Sequence, residues 1–271
     1  MFESISKVVL ITDMDGTFLP SDKIPSKGNL EAVKRFQSDG GKFAIATGRA
    51  IQAADQYFNK ITVNCPIIMC NGGMVYDIVN NKHIYDVYLP SMARNIVKNI
   101  IDNNQFVGCE ILRDDGVYVP KMTELEKIHN KICKVEPIEC SVDDIPDNWY
   151  KVLFAVEPEN MQTLIDYVKS QSWSNVDFVR SSKEYYEILP LNVTKGYGLE
   201  IMRNKCNMKD YTFVAVGDYN NDIEMLKTAD VGVCPSNAAD DVKEIADIVL
   251  DVSCDEDAIA TVIDYIYKQF D

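Results

Sequence analysis

The sequence predicts an α/β protein, a doubly wound and mainly parallel sheet interrupted by a second, α+β domain. Three observations predict it. Short unbroken apolar runs alternate with helix-length segments near the start of the chain, beginning with Val8-Val9-Leu10-Ile11. The texture changes between residues 84 and 190, where strand-like segments follow one another with helices between them. The strand–helix alternation then resumes from Lys195. Strand, helix and strand in succession imply right-handed crossovers and a parallel sheet, and a return to that pattern after a different one implies an insertion.

Residues 7–12 form an apolar run that stops at Asp13; without alternation it reads as a strand buried on both faces. Residues 29–38 space Leu30, Val33 and Phe36 as one face of a helix, closed by Gly40-Gly41. Residues 43–46 are a second buried strand running into Thr47-Gly48-Arg49. After a further helix, residues 66–70 are a third, stopping at Asn71-Gly72-Gly73. In the middle region, residues 106–112, 117–119, 149–156 and 185–189 read as strands of an antiparallel or mixed sheet, with helices over 91–103 and 159–170. Beyond it come a helix over 195–204, a strand over 212–216 ending at Gly217-Asp218, a helix over 222–227, a short strand over 231–233 and a terminal helix over 255–270. The expected division is a core of residues 1–83 and 191–271 with an inserted domain of residues 84–190.

Composition narrows the function. A hydrophobic fraction of 46% with 25% charged residues is ordinary for a soluble globular chain. The net charge of −15 opposes both a nucleic-acid backbone and an anionic membrane. No stretch is long and apolar enough to span a bilayer, and the first residues do not read as a secretory signal. Eight scattered cysteines without a C-x-x-C pair read as reduced thiols in a cytoplasmic setting. Two histidines, His83 and His129, offer little for a zinc site. No obligate protein partner is evident.

The chemistry gathers at strand ends, where open α/β sheets bind their ligands. These ends supply Asp13-Met14-Asp15-Gly16-Thr17, Thr47-Gly48-Arg49 and Gly217-Asp218-Tyr219-Asn220-Asn221-Asp222, and Lys195 opens the returning helix. Carboxylates, a hydroxyl, glycine-rich turns and one ammonium, with no imidazole or thiolate, are the hard-oxygen donor set of magnesium. Carboxylates gathered at one point repel each other and a phosphate, so a divalent cation and Lys195 are needed to hold them ionised. Such an ensemble suits in-line phosphoryl transfer. A carboxylate can be the nucleophile, and an acid two residues on can protonate the leaving oxygen. Asp218, Asn220 and Asp222 resemble the opening of a calcium loop, but Ile223 and Ala229 stand where its glycine and final glutamate belong.

The chain resembles the haloacid dehalogenase superfamily phosphatases of the Cof type, which carry a type IIB cap. D-x-D-G-T at residues 13–17, Thr47 within A-T-G-R, Lys195, and G-D-x-x-N-D at residues 217–222 stand in that family's order, with N-G-G at residues 71–73. The resemblance implies a Rossmann-like core under an α+β cap and hydrolysis of a small phosphorylated metabolite, such as a sugar phosphate, through an aspartyl-phosphate. It implies Asp13 as nucleophile and Asp15 as general acid and base. Asp13, Asp15 through its carbonyl, Asp218 and Asp222 would hold Mg2+, with Asp222 direct or one step removed. Met14, Thr47, Gly48, Lys195 and Asn221 would hold the phosphate. Asn192 stands where the family usually has glycine, and asparagine is the next residue to tolerate a positive φ there. Two rivals stay open: a phosphomutase of related architecture, and a phosphate-binding regulator without catalysis.

Overall fold

The computed structural model describes residues 3–270, which divide into two compact units. One comprises residues up to Gly48, then Tyr57–Tyr85 and Thr194 onward; the other comprises Arg49–Gln56 and Asp86–Val193.

The first unit is built on five parallel strands. Their order is Ile248–Val249, Val231–Cys234, Thr212–Val216, Val8–Thr12 and Lys42–Ile45. Val8–Thr12 lies between two partners, with Thr12 opposite both Val216 and Ile45. Every residue of that strand is buried, as its unbroken apolar run requires. Val9 and Ile11 join Phe213 and Ala215 beneath Leu199 and Met202 of the helix Lys195–Lys205 and Met225 and Leu226 of the helix Ile223–Thr228. The helix Lys27–Ser38, whose N-cap Ser26 accepts from the Asn29 amide, packs against Ala258–Tyr267. A small antiparallel sheet of Ile67–Met69, Met74–Asp77 and Lys82–Asp86 adjoins the main sheet through a bridge between Ala46 and Ile68.

The second unit has a six-stranded sheet ordered Val176–Arg180, Tyr185–Pro190, Lys151–Ala155, Gly108–Leu112, Val117–Lys121 and Ile138–Glu139. Its pairs are antiparallel except the last. One face carries Cys109, Ile111, Val152, Phe154 and Ile188 and is covered by apolar residues of the helices Ala93–Asn103 and Pro158–Ser170. Trp149 and Tyr186 lie in this core. Glu110, Lys151 and Glu187 alternate with these core residues along their strands, so they point to the opposite face, where the helix Glu124–Cys133 packs.

That second face is polar yet buried. Lys151 meets Glu187 at 2.8 Å, and Ser181 also donates to Glu187. Glu110 lies 3.3 Å from His129 Nε2, whose other ring nitrogen is 2.8 Å from the Tyr185 hydroxyl. Glu126 accepts from Asn130 through one oxygen, while its other oxygen meets no donor. A buried ionised carboxylate would not tolerate that. Burial, then the neighbouring Glu110, push Glu126 up to about 9, so it carries a proton and donates it to Glu110. Burial would lower the His129 pKa, but Glu110 outweighs it and holds His129 well above its ordinary value.

One expectation needs correction. The terminal helix begins at Ala258 rather than residue 255: Ser253 and Glu256 close a 3-10 turn, and Asp257 breaks the chain at φ 58. Asp255 accepts from the amide and hydroxyl of Ser21, and Asp257 from the hydroxyl of Ser26. The helix Glu124–Cys133 and the strand Val176–Arg180 were not anticipated.

The buried proton on Glu126 makes stability pH-dependent. A carboxyl raised from 4.5 to about 9 contributes stability that is fully present below 4.5 and is lost as pH rises through 9, and the raised His129 acts in the same direction. Glu126→Gln keeps a donor for Glu110 without a titrating proton. Chemical denaturation at pH 5 and pH 9 is expected to show the variant gaining on the parent chain as pH rises.

Candidate active site

The strand Val8–Thr12 delivers Asp13 into a turn that reverses over the next six residues. Phe18 and Leu19 amides donate to the carbonyls of Asp13 and Met14, and Gly16 adopts φ +85, where a side chain would also strike Asp218. Asp13 is 7% exposed and its amide donates to Val216 on the neighbouring strand at 2.8 Å. Asp13 is thereby tied by its backbone to the strand that carries Asp218 and Asp222 just beyond its end.

Lys195 binds the parts together. It is the first residue of its helix, wholly buried, with Nζ 2.5 Å from Asp13 Oδ1 and 2.6 Å from Asp222 Oδ1. A helix N-terminus repels a cation, so the two carboxylates must hold it there. The helix can approach because residue 196 is glycine: a Cβ there would lie 2.4 Å from the Glu224 carbonyl. Asp222 spends its second oxygen on the amides of Asp218 and Tyr219, at 3.0 and 3.2 Å. Asp218 accepts from the Thr17 hydroxyl at 2.7 Å. Carboxylate oxygens of Asp13, Asp218 and Asp222 all lie within 4.8 Å of one another.

These distances leave the cluster short of positive charge. Burial pushes Asp13 up to about 7; Lys195 opposes this, and Asp222 and Asp15 reinforce it. Asp218 is held well above the usual carboxylate range by burial, Asp13 and Asp222, against the Thr17 hydrogen bond and Lys195. Burial alone would lower the Lys195 pKa, but Asp13 and Asp222 outweigh it and raise it. Three carboxylates with one ammonium and hard oxygen donors fit a divalent cation.

A second group stands at the adjacent strand ends. Thr47 is buried; its amide donates to Ile68 and its carbonyl accepts from the Asn71 amide. Asn71 Oδ1 accepts from Asn221 Nδ2 at 3.2 Å and lies where a Cβ on residue 48 would fall, 2.7 Å away. Cys70, Asn71 and Gly72 all have positive φ. Asn71 is therefore the link between Thr47-Gly48 and Asn221, a role that the N-G-G run alone did not reveal. Met14 is fully buried, its carbonyl engaged by Leu19. Asp15 sits in the turn with Oδ1 3.0 Å from Lys23. Arg49 belongs to the second unit, donating to the Ala53 carbonyl. Asn192 has φ 61, the conformation that explains why asparagine can replace glycine there. Thr17, Lys23 and Asn71 were missed because their roles depend on turn geometry.

The profile of the haloacid dehalogenase-like hydrolases matches residues 10–263. The chain therefore belongs to that family and is an enzyme of its phosphomonoester hydrolase kind. Over 249 residues it is 25% identical to the 5-amino-6-(5-phospho-D-ribitylamino)uracil phosphatase YitU of Bacillus subtilis, covering 88% of this chain and 90% of that one. Its fold is that of a HAD/COF-like hydrolase from Plasmodium vivax, with TM-score 0.85, 22% identity and 98% and 97% of the two chains covered. It also matches the HAD subclass IIB sugar phosphatase BT4131, with TM-score 0.80, 21% identity and 96% and 98% covered. Members of this family generally use a divalent metal, and the Asp13, Asp218 and Asp222 cluster suits one.

Removing the buried cation tests the electrostatic account. Lys195→Met leaves Asp13 and Asp222 uncompensated, at a cost of about 3–5 kcal/mol in metal-free protein. Urea unfolding in the presence of a chelator is expected to show this loss, and added divalent cation to recover part of it.

Proposed function

We propose that the protein is a cytoplasmic, magnesium-dependent phosphatase of small phosphorylated metabolites, with sugar phosphates the leading class, acting through an aspartyl-phosphate on Asp13. The observation that carries this reading is the convergence of Asp13, Asp218 and Asp222, just beyond the ends of two adjacent parallel strands, around the buried Lys195 at the start of its helix. The site residues and the choice of magnesium are inferred from that chemistry and from the family. A sugar phosphatase among the similar folds and a relative named for a phosphoribityl compound both favour a phosphorylated polyhydroxy substrate.

The reaction follows from the residues. Lys195 holds the Asp13 carboxylate in one orientation, so that Oδ2 can attack phosphorus in line with the departing oxygen. Asp15 supplies the proton that the leaving oxygen needs, and the alcohol departs. Asp15, now ionised, takes a proton from a water that attacks the aspartyl-phosphate, and inorganic phosphate and the Asp13 carboxylate are regenerated. Thr47, Gly48 and Asn221, with the Met14 amide, would hold the phosphoryl oxygens, in a geometry braced by Asn71. Magnesium would be held by Asp13, the Asp15 carbonyl and Asp218, and it supplies charge to the transferring phosphoryl group. Asp222 fits a bracing role better than direct ligation, because Lys195 and two amides already take its oxygens.

A screen of phosphorylated metabolites with and without magnesium, read as kcat/KM and released phosphate, is expected to find turnover only with the metal. Asp13→Asn should abolish it at every magnesium concentration; retained turnover would sink the mechanism. Asp218→Asn is expected to shift the magnesium activation curve to higher concentration while leaving some activity at saturation. An isomerised product in place of released phosphate would instead favour a mutase.

A further inference from the structure

The loop after the nucleophile strand contains a lysine in the left-handed backbone region. Lys23 has φ 61, in the left-handed region that side-chain-bearing residues seldom adopt without contacts to hold them there. Here such contacts are present. The Lys23 amide donates to the Pro20 carbonyl at 2.9 Å, and the Asp22 carboxylate accepts from the Ile24 amide at 2.9 Å. On the other side, the Ser21 amide and hydroxyl both donate to Asp255, at 2.7 and 2.9 Å. Asp255 itself stands in the 3-10 turn closed by Ser253 and Glu256. The loop is thus pinned from a segment more than two hundred residues away in sequence, and it holds the Lys23 ammonium 3.0 Å from Asp15 Oδ1.

An ion pair this exposed, with the two side chains 38% and 37% accessible, adds little to folding. Its geometry matters more. A carboxyl group gripped at one oxygen has its other oxygen fixed in direction. We propose that Lys23 is a positioning residue for Asp15, holding Oδ1 so that Oδ2 faces the oxygen to be protonated and later the attacking water. The contact serves both halves of the reaction, because the carbonyl oxygen of a neutral carboxyl group accepts from an ammonium just as a carboxylate oxygen does. This inference rests on the proposed acid–base role of Asp15.

Leaving-group dependence separates positioning from support. p-Nitrophenolate departs without a proton, whereas phenolate needs one more, and the two aryl phosphates have almost the same shape. The ratio of their kcat/KM values therefore reports how well the acid is placed, and it excludes any step after the leaving group has gone. Asp15→Asn is expected to raise that ratio strongly, and Lys23→Met to raise it about ten-fold, the scale of a modest misplacement of a catalytic group. Lys23→Arg should restore it, and Lys23→Gln should restore it only in part. The melting temperatures of all three lysine variants should stay close to that of the parent chain. An unchanged ratio in Lys23→Met beside a raised one in Asp15→Asn overturns the role of Lys23 alone. An unchanged ratio in Asp15→Asn overturns the acid–base reading and the positioning role together. A drop in kcat/KM that is equal for both substrates and absent from Lys23→Arg also counts against positioning.

Discussion

The buried ammonium of Lys195 is the constraint on which the rest of the first unit depends. A wholly buried lysine cannot remain charged without carboxylates in contact, and Asp13 and Asp222 are both within 2.6 Å. To bring them there, the strand ending at Asp13 must lie beside the strand ending at Val216, and it does, residue for residue. The helix Lys195–Lys205 must present its first residue to those strand ends, so its start must pack closely against the neighbouring helix. Gly196 permits that approach and a larger residue would prevent it. Fold and site are thus one arrangement: the sheet order that buries Val9, Ile11 and Phe213 also sets the distance between the carboxylates.

The same contact orders the carboxylates by task. Asp222 is saturated, with one oxygen on Lys195 and the other on two amides, so it stiffens the loop and steers the lysine. Asp13 gives one oxygen to Lys195, and Asp218 is held by Thr17. What remains unbalanced is charge. Asp13 and Asp218 are both held above the ordinary carboxylate range, because burial and mutual repulsion outweigh the single ammonium. A divalent cation relieves both causes at once.

How far the sequence reveals this depends on what each residue needs from its neighbours. The strands Val8–Thr12 and Thr212–Val216 were legible because a strand buried on both faces must be apolar throughout. Asp13, Thr47, Lys195 and Asp218 were legible because they stand at the ends of such strands or at a helix start, in a recognisable order. Asn71 and Lys23 were not, since their place is set by positive φ angles in turns that no periodicity announces. The helix Glu124–Cys133 was missed for a different reason. Its buried residues are Glu126, Asn130 and Cys133, with His129 largely covered beside Glu110, so the side that packs on the sheet is not the apolar stripe that marks a helix. Asp257 stands where the terminal helix starts, but its φ of 58 sets that helix apart from the 3-10 turn before it, and its carboxylate accepts from Ser26, neither of which an acidic run announces.

The two units solve the same problem in opposite ways. Each buries several carboxylates together, and composition alone would make either a candidate cation site. In the second unit the account closes without a metal: Glu126 keeps its proton and shares it with Glu110, which faces a protonated His129, and Lys151 meets Glu187. A cation placed there would have to displace a proton from a nearly inaccessible carboxyl and compete with an imidazolium for Glu110. In the first unit the charge stays unbalanced. The carboxylates of Asp13, Asp218 and Asp222 converge with one lysine among them, and their hydrogen-bond donors are too few to settle the charge. The distinction lies in whether protons and fixed cations already complete the cluster, and by that criterion it is the strand-end cluster around Asp13 that calls for a divalent ion.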